Sequence, residues 1–108
     1  MKTPWYYILV ALAAEDRHGQ SIAREVLELS DGRVRLWPAT LYGAIDELQS
    51  QGWIAELTDH SRPDESERKR YYGLTRQGRA ALASETDRLA GIVRIARARA
   101  KPKSGGGR

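Results

Sequence analysis

A chain of 108 residues holds one small domain, too little for separate catalytic and regulatory domains. Hydrophobic residues at 41% beside 30% charged ones fit a globular protein, and the longest apolar stretch, Trp5 to Ala14, falls far short of the ~20 residues of a membrane span. With no cysteine, neither a disulfide framework nor a thiolate metal site is possible, and the cytoplasm is the expected compartment.

The net charge of +4 is unevenly spread. Residues 1–58 carry 5 basic and 8 acidic side chains, residues 59–76 carry 5 and 4, and residues 77–108 carry 8 and 2. The excess therefore sits in the C-terminal third, where residues 101–108 read as a disordered basic tail. Such a tail either adds nonspecific attraction to phosphate or is simply solvated.

In chain order, a first helix is expected from about Pro4, a residue allowed at a helix start, to about Ala14. Trp5, Ile8, Leu9, Leu12 and Ala13 recur at helical spacing, which suits an amphipathic helix. Lys2 and Ala11-Leu12-Ala13 admit a secretory leader as a rival, against which Trp5, Tyr6 and Tyr7 count. Glu15-Asp16-Arg17 reads as a polar turn. A second helix begins between His18 and Ser21 and turns Ile22, Ala23, Val26, Leu27 and Leu29 inward, with Ser30-Asp31-Gly32 as its end. Arg33-Val34-Arg35-Leu36 alternates, so it reads as a short strand or an extended link.

Pro38 opens the third helix, whose stripe is Leu41, Ala44, Ile45 and Leu48, and Gly52 supplies the left-handed residue that stops it. Trp53 to Leu57 and Lys69 to Leu74 read as two strands around a polar loop from Thr58 to Arg68 that contains Pro63. Thr75 caps a long fourth helix with a near-heptad stripe of Leu82, Leu89, Ile92, Val93 and Ala96. That stripe has little core left to meet in its own chain. It is therefore expected to pack on the first helix and on a second subunit, with Trp5, Tyr6 and Leu9 contributing; intrachain core is the competing reading.

A helix followed at once by a hairpin with a charged, Pro-containing tip is the order of a winged helix. The expected class is mainly α with a small β-hairpin: a DNA-binding unit over residues 1–76, a dimerisation helix over 77–100 and the tail. In that fold the third helix enters the major groove and the hairpin follows the backbone. Thr40, Tyr42 and Gly43 are candidates on the recognition helix, Tyr42 having half-buried packing as its alternative. Asp46 and Glu47, on the same helix, repel phosphate unless paired. Arg62, Arg68, Lys69 and Arg70 are candidate phosphate contacts in the hairpin, competing with pairing to Asp64, Glu65 and Glu67. Arg17, His18, Gln20 and Ser21 stand where the second helix begins, a favourable place for phosphate; for His18 a turn role is the rival.

Catalysis has little to draw on. Two histidines, no cysteine, no Gly-rich phosphate loop and no convergent carboxylate pair leave a metal or nucleophile site without residues, and nothing points to a cofactor.

Taken together, Ile8-Leu9 with Ala11-Leu12, His18-Gly19-Gln20-Ser21-Ile22-Ala23, Arg33-Val34-Arg35-Leu36, Pro38-Ala39-Thr40-Leu41-Tyr42, Leu48 with Gly52-Trp53-Ile54, and Arg70-Tyr71-Tyr72-Gly73-Leu74-Thr75 with Gly78 make the chain resemble the PadR family of bacterial transcriptional regulators. The likeness covers Tyr7 to about Arg97 and rests on the order and spacing of these short patterns. It implies a dimeric winged-helix repressor that binds an inverted-repeat operator and is released by a small aromatic or drug-like effector. Carried over by position, Thr40 and Tyr42 match the operator-contacting residues, and Arg68, Lys69 and Arg70 match the basic wing. The last helix here lacks the tryptophan with which some members line an intersubunit cavity, so the candidate effector pocket falls to Trp5, Tyr6, Leu89 and Val93, with interface core as the competing use. Asp46, Glu47 and the acidity of residues 1–58 motivate one alternative, a winged-helix protein-interaction module with weak or no sequence-specific DNA binding. A nonspecific, tail-driven nucleic-acid binder is another.

Overall fold

The computed structural model describes residues 1–57 and 70–102. Among them the order of elements is α1 (Thr3–Ala14), β1 (Arg17–His18), α2 (Gly19–Leu29), α3 (Pro38–Ser50), β2 (Ile54–Leu57), β3 (Tyr71–Leu74) and α4 (Arg76–Ala100). The strands form one antiparallel sheet in the order β1-β3-β2. Ile54 faces Leu74 and Glu56 faces Tyr72 across one pair, while Arg17 faces Tyr72 and His18 faces Tyr71 across the other. This is a winged helix.

Local chemistry sets most of the boundaries. Pro4 and Pro38 sit in the first turns of α1 and α3, where a missing N–H costs nothing. Helices α2 and α3 end alike: the Gly32 N–H donates to the Leu27 carbonyl at 2.8 Å and the Trp53 N–H to the Leu48 carbonyl at 3.0 Å, closing each last turn. The first closure places Asp31 at φ 54°, a value Asp tolerates better than most residues; the second places Gly52 at φ 79°. Ser30, buried at the end of α2, donates to the Leu27 carbonyl and accepts from the Val34 N–H at 2.9 Å, which fixes the turn into the segment before α3. That segment is an extended link; of the two expected forms, no strand forms there.

Three expectations need correction. Leu29, expected on the inward face of α2, is the last residue of that helix and is 42% exposed, because the chain turns away there. The start of α2 is preceded by a two-residue strand where a polar turn was expected, because Arg17 and His18 complete the open edge of β3. Leu9 is fully enclosed by its own chain, so it is core and not an interface residue. Helix α1 is apolar on more than one side and packs against α2, α3, β3 and α4 together, which leaves no free stripe at that position.

The core gathers Ile8, Leu9 and Leu12 from α1, Ile22 and Val26 from α2, Leu36, then Leu41, Ala44, Ile45 and Leu48 from α3, with Ile54 and Tyr72 from the sheet. Each such aliphatic side chain contributes about 1.5–3 kcal/mol when fully buried. Leu82 packs on the edge of this core, and α1 is tied to α4 at the surface: the Tyr6 and Thr86 hydroxyls bond at 2.8 Å, and the Met1 amino group lies 3.5 Å from the Glu85 carboxylate. Beyond Leu89 the helix leaves the core, and Ile92, Val93 and Ile95 are about half exposed.

Candidate nucleic-acid interface

The buried stripe of α3 faces α1 and the sheet, so Thr40, Tyr42, Gly43, Asp46 and Glu47 lie on the outer surface. Their settings differ. Tyr42 is 44% exposed, and its hydroxyl lies over Gly19, filling the space a side chain there would need. It therefore wedges α3 against the start of α2 as well as presenting an edge outward. No atom stands within 4 Å of where a Gly43 side chain would project, so this part of the helix is smooth and open.

Glu47 is neutralised from another element. The Lys2 ammonium reaches its carboxylate at 3.3 Å and also lies over the Trp5 ring at 5.2 Å. An exposed pair of this kind contributes at most about 1 kcal/mol to stability, but it removes a net negative charge from the face of α3. Asp46 has no ion pair among the described residues.

Around the start of α2 the sequence expectations separate. Arg17 is a staple: its guanidinium donates to the Ala11 carbonyl and the Ser21 hydroxyl, each at 3.0 Å, and stands 3.4 Å from Glu15 and 3.7 Å from Glu25. So engaged, Arg17 ties the end of α1 to the first turn of α2. The His18 ring caps α2 by accepting the Ser21 N–H on Nδ1 at 3.3 Å and meets Tyr71 edge-on at 5.5 Å. Gln20 is exposed in the first turn of α2.

On the wing, Arg70 is exposed and stands 3.8 Å from Glu56 on the neighbouring strand. Burial pushes the Tyr72 phenol above its ordinary pKa, with Glu56 and Tyr42 adding to the shift and the Arg70 guanidinium opposing it. Tyr72 is thus a neutral core residue that links sheet and α3. Arg62, Arg68 and Lys69 lie outside the described residues.

Of the four residues expected to line an effector pocket at a dimer interface, Tyr6 bonds to Thr86 of α4, one turn before Leu89, and Trp5 stands elsewhere. Trp5 meets Trp53 edge-on at 5.8 Å and lines an open groove of about 480 Å³ with Lys2, Pro4, Thr40, Gly43, Ala44 and Glu47, between the start of α1 and the face of α3. Tyr6, Leu89 and Val93 do not line it.

Two exposed residues beside this face escaped the sequence reading. Trp37, immediately before α3, is 64% exposed, and the Arg35 guanidinium lies over its ring at 5.3 Å. The signal was present in the sequence: a tryptophan before a helix-opening proline, where Ser, Thr, Asp or Asn would cap the helix.

The transcriptional regulator PadR-like family matches residues 8–84 of the sequence. A PadR family transcription regulator from Clostridium difficile superposes with a TM-score of 0.74 at 23% identity, covering 87% of this chain and 94% of its own. A transcriptional regulator from Clostridium thermocellum gives 0.73 at 21% identity, over 91% and 90%. The Bordetella bronchiseptica protein BpsR, whose DNA binding is described as regulated by 6-hydroxynicotinic acid, gives 0.69 at 20% identity over 88% of this chain and 60% of its own. At these identities the superpositions establish the shared fold. No curated protein matches the sequence.

Proposed function

We propose, from the premise that the chain belongs to the PadR-like family of transcriptional regulators, that it acts as a dimeric repressor of a promoter carrying an inverted-repeat operator. Regulators of this family are not enzymes, so function is a matter of what the chain binds. The observation that carries the reading is the open face of α3, where Thr40, Gly43 and the edge of Tyr42 stand outward while Lys2 cancels the charge of Glu47. A helix lying in the major groove reads base edges with residues near its N-terminus, and the wing's basic residues then meet the backbone. Arg70, with Arg68, Lys69 and Arg62 of the same segment, is assigned to phosphate, and Gln20 at the start of α2 to the flanking strand.

The second subunit is assigned to the distal half of α4. Ile92 and Val93 are about half exposed, Leu89 and Ala96 continue the same stripe, and Ile95 widens it. Leaving these side chains in water forgoes burial that a paired helix supplies. Trp5 and Tyr6 support that contact through α1, which already packs on α4. Release is assigned to a small aromatic effector in the groove against Trp5, because an occupant there touches Thr40 and Gly43 of the reading helix itself.

The test is binding of the purified chain to its own upstream DNA and to a scrambled duplex at two salt concentrations, with light scattering on the same sample. Selective, salt-dependent binding by a dimer supports the reading. Equal, salt-erased binding to both duplexes overturns it in favour of a protein-interaction role.

A further inference from the structure

Trp37 breaks two local rules at once. It is the most exposed large apolar side chain among the described residues, at 64%, while the other two tryptophans pack against each other. It also occupies the N-cap of α3 with extended backbone and makes no side-chain capping bond, where Ser, Thr, Asp or Asn would stabilise the helix. A position that gives up both burial and capping is shaped by something outside the chain.

Its neighbours identify that partner. Arg35 covers the indole at 5.3 Å, Arg33 lies two residues earlier, and neither arginine has an ion pair among the described residues. Next along the chain come Thr40 and the open surface at Gly43. An exposed indole flanked by uncompensated guanidinium groups at the entry to α3 fits a polyanion with apolar features in its groove. Double-stranded DNA is such a partner, and thymine is the base whose major-groove edge carries a methyl group beside an acceptor oxygen. An indole offers the complement, an apolar face and a single N–H donor.

Resting on the operator-binding reading above, we propose that Trp37 is a specificity-determining residue that reads a thymine through its C5-methyl in each half-site, with Arg35 held on the indole and directed to the adjoining phosphate. Trp37 meets the base edge ahead of Thr40, so the indole extends the reading surface of α3 by one turn towards its N-terminus. Arg35 contributes charge that the helix itself lacks.

The test uses the full chain and the upstream duplex that it selects, with each thymine in turn replaced by deoxyuridine, which removes only the methyl. Wild type is expected to lose about fourfold in affinity at one position of each half-site, the worth of one apolar carbon. Trp37→Ser is expected to bind more weakly, to lose that sensitivity, and to keep or raise the thermal midpoint, since serine caps the helix. Trp37→Phe, which retains an apolar face, is expected to keep the sensitivity. Undiminished binding by Trp37→Ser, or weakened binding with the deoxyuridine effect intact, overturns the assignment, as does a selected duplex with no sensitive thymine. If wild type selects no duplex at all, the operator reading itself falls and this inference with it.

Discussion

A side chain at position 19 would occupy the space filled by the Tyr42 hydroxyl, so Gly19 and Tyr42 together fix the approach of α3 to the start of α2. Gly19→Ala is expected to destabilise the domain by about 1–3 kcal/mol through overpacking. Most of that loss should vanish in a Tyr42→Ala background, where the obstacle is gone. Urea unfolding of the four proteins measures the coupling, and an additive cycle would show that the two residues do not bear on each other. Glu85 makes a different kind of prediction. The Arg88 guanidinium, 2.6 Å away, together with the Met1 amino group, holds its carboxyl down at about 2. A carboxyl whose pKa is lowered by folding stabilises the fold above its ordinary pKa of about 4.3 and loses that contribution as the pH falls towards 2. Glu85→Gln should therefore flatten the stability profile between about pH 5 and pH 2 and leave its shape near neutrality unchanged. Acid titration followed by circular dichroism is the measurement; identical acid limbs in the two proteins would contradict it.

Among the elements, one side chain joins the end of α3 to the start of α4. The Thr75 hydroxyl accepts the Gly78 N–H at 2.9 Å, capping α4, and donates to the Gly52 carbonyl at 2.6 Å, so the end of α3 and the start of α4 share it. Thr75→Ala removes both bonds and should cost more than the roughly 1 kcal/mol of a cap alone, whereas Thr75→Ser should be nearly neutral. Thermal unfolding separates the two, and equal losses would place the effect in the threonine methyl. The elements differ in how far the sequence declares them. The stripe of α3, its proline start and the stop at Gly52 are local patterns, and each was legible. Strand β1 was not, because two residues carry no periodicity and their pairing with Tyr71 and Tyr72 joins distant parts of the chain. Leu9 was misread because an apolar stripe does not say whether its cover comes from the same chain. Arg17 was read as a candidate phosphate contact because a helix start does not declare its partners: the Ala11 carbonyl on α1, Glu15 just after it and Glu25 on α2. Trp37 went unremarked because proline at the next position already explained the start of the helix.

At the scale of the whole molecule, a compact winged helix is joined to a rod. Helix α4 has 25 residues, about 37 Å of length, and its first half belongs to the core while its second half carries Ile92, Val93 and Ile95 outward. On the proposed function, DNA lies at one end and a second copy of the chain at the other. Paired Ile92→Asp and Val93→Asp substitutions should then give a folded monomer with operator affinity reduced by at least tenfold, since each half-site would be held alone. Light scattering with circular dichroism checks this, and a persisting dimer would move the interface elsewhere.

The central claim is that two copies of α3, related by a two-fold axis, enter successive major grooves of one operator. Hydroxyl-radical footprinting of the upstream DNA measures it most directly. The account predicts two protected patches on one face of the duplex, with centres about 34 Å, or one helical turn, apart. A single patch, or protection spread without preference along the fragment, would contradict it.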